Sequence, residues 1–246
     1  MAHLLALLAV ALAWEAASRA DLVAALIFPA PTTIIAWLAG SLRSGEMLAS
    51  LAASGQRLAL GVGLGAACGV LAGLAMGLST RLHRAIDPVV AALHPMPKVA
   101  LLPLFLVLFG FGEAARVVPV ALVAFFPMAI AGAVAIRAID PLLWDVARNY
   151  GAGRLMLLRR IVLPGARPML LAGFRLSLNV AIVVLISVEM LSGTDGLGAA
   201  VWQAWQTMRV EQLYGTLLVV ATIGILVNRA LGRWDGTPRP APAGPL

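Results

Sequence analysis

Charged residues are scarce in this chain. Only 12% of its 246 residues are Asp, Glu, Lys or Arg, whereas 61% are hydrophobic. Soluble domains carry about a quarter charged residues, and a mean hydropathy of +0.96 lies outside their range. Leu58–Leu78 and Val117–Ile136 contain no charge over about the 20 residues that a membrane-spanning helix needs. The composition therefore predicts a membrane protein.

Cysteine, histidine and lysine are nearly absent. The one cysteine, Cys68, lies inside an apolar run, which excludes a disulfide or a cysteine metal site within the chain. The three histidines are scattered, and no H-E-x-x-H sequence or cluster of His with carboxylates indicates a zinc site or an active site. The one lysine, Lys98, belongs to no G-x-x-x-x-G-K-[ST] sequence for ATP binding. We therefore predict no catalytic and no metal-binding residues.

Arginine supplies 17 of the 18 basic residues and dominates the net charge of +7. The arginines cluster between hydrophobic segments, as in the cytoplasmic loops of membrane proteins, so topology explains the charge better than a nucleic-acid partner does. With the N-terminus in the cytoplasm, eleven arginines fall in cytoplasmic segments and five in outer segments. This bias predicts that both termini are cytoplasmic.

Six membrane-spanning helices are predicted, in an all-α fold. They are Leu4–Ser18, Leu58–Leu78, Val89–Gly110, Val117–Ile136, Met169–Leu191 and Leu213–Arg229. The first segment is short and contains Glu15; a cleaved signal peptide is the alternative, although the segment lacks the usual basic start. Thr32–Leu51 predicts an amphipathic helix on the outer face, with an ordinary loop as the alternative.

These spans divide the chain into three parts. Residues 1–54 hold the first helix and the outer segment, and residues 55–234 form the core, with a cytoplasmic loop at 139–167. Residues 235–246 are rich in proline and glycine, which predicts a disordered cytoplasmic tail.

The third span is interrupted by a proline-rich break. The residues of the break are His94, Pro95, Met96, Pro97 and Lys98. Prolines remove backbone donors, and irregular backbone at membrane depth is tolerated only against protein or a cavity. The break therefore predicts the lining of a substrate path, with a packing kink as the alternative. Lys98 could attract an anion, pair with a carboxylate or extend to the membrane surface. We group Glu189, which is predicted to face the bundle or an outer vestibule, with this candidate path.

A ladder of glycines runs along the second span. Its members are Gly61, Gly65, Gly69, Gly73 and Gly77. Small residues at this spacing let a neighbouring helix approach closely, so the ladder favours tight helix packing over the alternative of a gating hinge.

The loop at 139–167 predicts two short helices. Asp140 and Pro141 form a helix start, and Gly151 favours the left-handed conformation that ends a helix. Leu142, Leu143, Val146, Ala147 and Tyr150 then share one face, and a second helix, Arg154–Val162, reaches Leu163-Pro164. Because nothing nearby in the chain covers the apolar face, we expect a cytoplasmic partner.

The spacing of this loop resembles the EAA loop of ATP-binding-cassette import permeases, Glu-Ala-Ala, x3, Gly, x9, Ile-x-Leu-Pro. The matching residues are Asp145, Val146, Ala147, Gly151, Ile161, Leu163 and Pro164. Asp145 replaces the usual Glu and Val146 the first Ala. The resemblance implies coupling helices that seat in a cleft of the ATP-hydrolysing subunit, with Asp145 facing that subunit.

Other segments resemble the nitrate, sulfonate and taurine branch of these permeases. They are Trp14-Glu15, Phe28-Pro29-Ala30-Pro31, Pro97–Leu104, Phe109–Glu113, and Glu189 with Gly193 and Gly196-Leu197-Gly198. The resemblance implies a type I importer permease in the bacterial inner membrane. Its expected partners are a second permease copy, two copies of an ATP-binding subunit, a periplasmic or lipid-anchored substrate-binding protein, and membrane lipid.

The expected substrate is a small anion such as nitrate, an alkanesulfonate or taurine; a pyrimidine precursor of thiamine or another small nutrient is the alternative. No cofactor is expected in this chain, because ATP would bind the partner subunit. A membrane-embedded enzyme and an ion-driven secondary transporter are the remote alternatives. Neither would account for the EAA spacing.

Overall fold

The computed structural model describes residues 2–20 and 27–232. Over these ranges the chain forms helices and turns without a strand, which confirms the predicted all-α fold. The helices are α1 (Ala2–Arg19), α2 (Pro31–Ser44), α3 (Glu46–Leu78), α4 (Thr80–Leu93), α5 (Leu102–Phe109), α6 (Glu113–Arg137), α7 (Pro141–Asn149), α8 (Arg154–Leu157), α9 (Leu163–Ser192), α10 (Leu197–Gln206) and α11 (Val210–Gly232). A 3₁₀ turn, Lys98–Leu101, precedes α5, and a π-helical turn, Leu158–Val162, joins α8 to α9.

Within the described ranges, four helices are long and apolar enough to cross a membrane. They are α3, α6, α11 and the continuous helix Leu155–Ser192, which includes α9. A fifth candidate consists of α4 and the segment Lys98–Phe109, which are bent by 88° to each other. The first predicted span lies within α1, which is not among these five, so it stays a prediction. The predicted tail, 235–246, lies outside the described residues.

The glycine ladder packs α3 against α6, and the two helices run in the same direction. A Cβ atom added to Gly61 would lie 2.6 Å from the Val120 side chain, and one added to Gly77 would lie 2.5 Å from Ile136. Later glycines of α3 thus contact later residues of α6, which shows that the helices are parallel. The short distances confirm the predicted close packing. Because the helices are parallel, the chain between them must return from the end of α3 to the start of α6. The bent segment therefore crosses the bundle rather than turning back to the side where it began.

The remaining long helices pack around this pair. α9 runs antiparallel to α6, since Ser177 donates from Oγ to the Ala124 carbonyl at 3.0 Å while Gly165 near the start of α9 faces Ile139. The main core lies between α3, α6 and α9. We call the end of the bundle at which α3 and α6 begin the Arg57 end, and the end that carries residues 137–162 the loop end.

Three predicted helix boundaries were wrong. The second spanning helix begins at Glu46 rather than Leu58, because only Gly45, with a φ of 82°, interrupts the helical chain after α2. The predicted outer helix 32–51 is consequently split at Gly45. Positions 54 and 55, where we divide the first part of the chain from the core, lie inside α3, and that division stays a prediction. The helix from Arg154 does not stop at Leu163-Pro164 but continues into α9.

The π-helical turn explains this continuation. The N–H of Leu163 bonds to the Leu158 carbonyl, five residues earlier, so the helix widens immediately before Pro164. A widened turn accommodates a proline ring that would clash with the preceding turn of a regular helix. The span therefore extends directly from the loop that resembles a coupling element.

Candidate functional site

The proline-rich break reorients the third span, as the sequence predicts. α4 ends where the N–H of His94 bonds to the Val90 carbonyl at 2.8 Å, and Pro97 has an extended backbone with φ −72° and ψ 97°. The two prolines, Pro95 and Pro97, supply no N–H to continue the helix. The chain resumes in the 3₁₀ turn after the sharp change of direction.

Lys98 is enclosed at this break, with only 8% of its surface exposed. Its ammonium group donates to the His94 carbonyl and lies 4.7 Å from the centre of the Phe126 ring, a cation–π contact. Across residues 2–20 and 27–232, no carboxylate forms an ion pair with Lys98. Of the three alternatives for this lysine, pairing with a carboxylate within the described chain is therefore not observed.

A half-open cavity of about 380 Å³ lies beside Lys98. Its lining residues come from the break, α6 and α9: His94, Met96, Pro97, Lys98, Val99, Val123, Pro127, Leu176, Val180 and Val184. Four of the predicted path residues are thus brought together here. One cation, Lys98, lies among these lining residues, and those from α6 and α9 are aliphatic side chains and a proline.

Glu189 lies elsewhere, fully buried near the Arg57 end of α9. Its carboxylate accepts hydrogen bonds from Ser54 Oγ at 2.7 and 2.9 Å, from Arg57 Nη1 at 2.8 Å and from the Gly198 N–H at 3.0 Å. Glu189 is therefore not one of the residues that line the cavity; it joins α3, α9 and α10.

Arg57 is the centre of a larger ionic cluster. Its guanidinium, 3% exposed, donates to Glu113 at 2.7 and 2.8 Å and to the Asp195 carboxylate at 2.8 Å, in addition to Glu189. Arg116 bonds to Glu113 at 2.8 Å and to Asp195 at 3.0 Å. We call this set the Arg57 cluster: Ser54, Arg57, Glu113, Arg116, Glu189 and Asp195. Hydrogen bonding to Arg57 lowers the pKa of the Asp195 carboxyl, which lies in the turn between α9 and α10.

Two glycines of the Gly196-Leu197-Gly198 sequence make room for Glu189. Gly196 has a φ of 102°, and a Cβ atom there would lie 2.5 Å from Glu189 Oε1. A Cβ atom at Gly198 would lie 2.6 Å from that of Glu189. The N–H of Leu197 meanwhile donates to Ser54 Oγ at 2.8 Å. The backbone at the start of α10 therefore packs directly against the buried Glu189 carboxylate.

Sequence reasoning missed the Arg57 cluster. Arg57 and Arg116 are two of the five arginines that the predicted topology places in outer segments, because each directly precedes a charge-free run, Leu58–Leu78 or Val117–Ile136. The signal that could have found them is the apolar pattern before Arg57, which extends the helix back toward Met47 and places the arginine inside it.

At the loop end, the predicted helix start and helix end are confirmed. Asp140 Oδ1 accepts from the Leu142 N–H at 2.8 Å, which caps α7. Gly151 has a φ of 68°, the left-handed conformation expected of it, and the following N–H bonds to the Ala147 carbonyl at 2.9 Å.

The apolar face of α7 is only partly covered within the chain. Ala147 is buried, whereas Leu142, Leu143 and Val146 are exposed and Tyr150 is 87% exposed. A groove of about 410 Å³ lies between α7 and the following helix, lined by Leu143, Val146, Ala147, Tyr150, Ala152, Met156, Leu157, Arg160 and Ile161. Beneath it, Ile136, Ile139 and Val162 form a small core. Asp145, Leu163 and Pro164 are exposed.

A comparison with protein families matches residues 65–234 to the binding-protein-dependent transport system inner membrane component. An aliphatic sulfonates transport permease protein of Bacillus subtilis is 33% identical over 87% of this chain and 78% of its own length. The taurine transport system permease protein of Escherichia coli is 30% identical over 91% of this chain and 86% of its own. The nitrate import permease protein of Leptolyngbya laminosa is 28% identical over 74% of this chain and 65% of its own length. The named activities are transport, not catalysis.

Solved structures share the fold. An inward-facing structure of the methionine transporter MetNI superposes with a TM-score of 0.66 at 20% identity, covering 74% of this chain and 91% of that one. An amino acid transporter of the ATP-binding-cassette type superposes with a TM-score of 0.60 at 20% identity, covering 80% of this chain and 96% of that one. These similarities confirm the predicted type I permease fold.

Proposed function

Because the chain belongs to the inner membrane components of binding-protein-dependent transport systems, we propose that it moves a small organic anion across the bacterial inner membrane. It is the permease subunit of an importer, and ATP is bound and hydrolysed by a separate subunit. The substrate passes the proline-rich break, where His94, Pro95, Met96, Pro97 and Lys98 form one side of the path.

The cavity beside Lys98 carries this proposal. A buried cation without a carboxylate partner in the described chain stabilises an anion in a low-dielectric site. The aliphatic side chains of α6 and α9 in the same cavity, such as Val123 and Val184, suit a short hydrocarbon tail. An alkanesulfonate has a charged group for Lys98 and a hydrocarbon tail for the aliphatic side chains, whereas nitrate has no apolar part to place against them. The ammonium group of taurine would find no carboxylate among the residues that line this cavity.

The loop end supplies the contact with the ATP-hydrolysing subunit in this proposal. The groove beside α7 presents exposed apolar side chains, and Arg160 adds a positive charge at its edge. A partner surface that inserted into this groove would bury apolar area that the chain itself leaves in water. Asp145, which is exposed beside it, and Gly151, which turns the chain, then orient the loop in the partner's cleft.

We further propose an assembly of two permease copies, two ATP-hydrolysing subunits and one periplasmic or lipid-anchored binding protein. One chain supplies one coupling loop, so a pair of ATP-hydrolysing subunits requires two chains. The loop end and both termini face the cytoplasm, as the arginine bias supports.

Transport assays in proteoliposomes test the function. The complete importer is reconstituted with its binding protein, and ATP-dependent uptake of butanesulfonate, taurine and nitrate is measured. We expect butanesulfonate to be taken up, and Lys98→Gln to reduce its uptake about tenfold or more through loss of a charged contact. Lys98→Arg keeps the charge and retains more of the uptake. Absence of uptake for all three anions contradicts the substrate class, and unchanged uptake by Lys98→Gln contradicts the path.

A further inference from the structure

Phe126 contacts Lys98 but is not a lining residue of the cavity. The Lys98 ammonium nitrogen lies 4.7 Å from the centre of the Phe126 ring, and Lys98 itself lines the cavity. Two neighbours of Phe126 on α6, Val123 and Pro127, also line it. The cavity thus reaches Lys98 but not the ring, and Phe126 can act on a substrate there only through another residue.

The Phe126 ring is fixed by its surroundings. Phe126 is 3% exposed and belongs to one buried cluster with Val90 of α4. The Phe125 ring meets it edge to face, with the two ring centres 5.3 Å apart, and the His94 ring lies 5.9 Å away between centres. Phe126 therefore contacts both sides of the bend in the third span, His94 before it and Lys98 after it.

The two groups that hold the Lys98 ammonium within the described chain carry no net charge. They are the His94 carbonyl, which accepts a hydrogen bond, and the Phe126 ring, whose negative face attracts a cation. A buried ammonium needs such partners, because burial removes water from it. A carboxylate would stabilise the ammonium too, but it would also cancel the positive charge. The carbonyl and the ring leave that charge in place for an anion.

The ammonium also keeps donors for a substrate. It has three N–H groups, and the His94 carbonyl accepts from one of them. The ring needs only to lie close to the positive charge, since a cation–π contact is an attraction to the face of the ring. Lys98 can therefore hold both partners and still donate a hydrogen bond into the cavity that it lines.

Resting on the proposed function, we infer that Phe126 is a positioning residue of the anion path, whose ring holds the charged Lys98 side chain in the orientation that receives the substrate. Without the ring, the long side chain of Lys98 has more freedom, and fixing it again on anion binding costs conformational entropy. The ring thus sets how well Lys98 binds an anion that the ring itself does not contact.

A double-mutant cycle of Phe126→Leu and Lys98→Gln tests this inference, with ATP-dependent uptake of butanesulfonate by the reconstituted importer as the measurement. Phe126→Leu keeps an apolar side chain but removes the ring. We expect it to lower uptake about fivefold when Lys98 is present, as the loss of a buried cation–π contact predicts. In the Lys98→Gln protein, which is already about tenfold slower, it should cause no further loss. The double variant then retains about a tenth of the wild-type uptake rather than about a fiftieth.

Phe125→Leu is the matched control. Phe125 is the adjacent residue on α6 and a member of the same ring pair, but the Lys98 ammonium lies over the Phe126 ring. We expect Phe125→Leu to take up butanesulfonate at the wild-type rate, and the subunits of every variant to copurify at the wild-type ratio. If Phe126→Leu lowers the amount of inserted protein, the cycle is repeated with Phe126→Met, which fills more of the space of the ring.

The outcomes separate this inference from the proposed function. Equal losses from Phe126→Leu with and without Lys98 would show that the ring contributes packing alone, and unchanged uptake in Phe126→Leu would show that it contributes nothing; either result overturns the inference. In both cases, impaired uptake in Lys98→Gln leaves the proposed function standing. If Lys98→Gln alone leaves uptake unchanged, the path past Lys98 fails, and the role of Phe126 fails with it.

Discussion

At the Arg57 end, two arginines and three carboxylates bond to one another, whereas exposed arginines at the loop end, such as Arg81, Arg84 and Arg137, form no ion pair within the described chain. The two ends also differ in their glycines. The Glu189 side chain occupies the space beside Gly196 and Gly198, whereas Gly151 faces open space. Charge at the first end holds helices together; charge at the second remains available to a partner, a substrate or lipid.

The difference follows from what each end must do in a membrane. A buried charge is tolerated when its hydrogen bonds are complete, and the five N–H groups of an arginine let it join several helices at once. Arg57, which lies on α3, uses them on α6, α9 and the α9–α10 turn. An end that binds another subunit, as we propose for the loop end, instead leaves its apolar and charged groups uncovered.

The largest expected effect is the loss of Arg57. Arg57→Ala leaves Glu189 buried without its cation, and breaking such a pair costs about 3–5 kcal/mol. We expect a lower thermal midpoint in detergent and reduced yield in the membrane. Arg43→Ala, an exposed arginine of α2, is the control and should leave both unchanged. Equal midpoints for the two variants would show that the Arg57 cluster contributes nothing to stability.

A smaller effect is expected between the two ends, in the glycine ladder. A Cβ atom at Gly65 would overlap the Ala121 backbone, so Gly65→Ala should destabilise the protein by about 1–3 kcal/mol. Gly63, two residues away on the same helix, has nothing within 4 Å of an added Cβ. Gly63→Ala should therefore be neutral or stabilising in thermal unfolding of the purified permease. Equal losses at both positions would point to helix flexibility instead of packing.

The sequence predicted features whose physics is local and missed those that depend on distant partners. The glycine ladder, the Asp140 cap and the left-handed Gly151 each follow from spacing or from one backbone preference. Arg57 depends on Glu113, Glu189 and Asp195, which lie 56 to 138 residues further along the chain. No periodicity connects residues so far apart.

The continuation of the loop helix into α9 was missed for a related reason. Leu163-Pro164 predicts a helix end, because proline removes a hydrogen bond and clashes with the preceding turn. The π-helical turn relieves the clash, and it is visible only in the backbone. The cavity likewise joins residues of the break to α6 and α9, and only the fold shows which side chains share the cavity with Lys98.

At the loop end, Gly151→Val should affect coupling more than stability. Its φ of 68° opposes a side chain, at a cost of about 1–2 kcal/mol for an ordinary residue. We expect the variant to insert in the membrane but to copurify with less of the ATP-hydrolysing subunit. Gly153→Val is the matched control, because Gly153 also faces open space but lacks a positive φ. Normal copurification and transport in Gly151→Val would contradict the coupling assignment.

The smallest expected effect is the pH dependence of the Arg57 end, and it sharpens the comparison because only this end pairs its arginines with carboxylates within the described chain. Hydrogen bonding to Arg57 lowers the pKa of Asp195 below the ordinary value of about 3.9 for an aspartate. A carboxyl with a lowered pKa in the folded state stabilises the protein above its unfolded pKa, and this contribution disappears as the pH falls through the folded pKa.

Asp195→Asn should therefore lower the thermal midpoint at neutral pH, and the difference from wild type should shrink below about pH 4. Because the Asp195 side chain is 54% exposed, water screens the pair and the shift should be small. Thermal unfolding of both proteins from neutral to acid pH measures it, with Asp140→Asn, at the loop end, as the control. A difference that stays constant over that range would mean that Asp195 acts through its shape and hydrogen bonds, not through its charge.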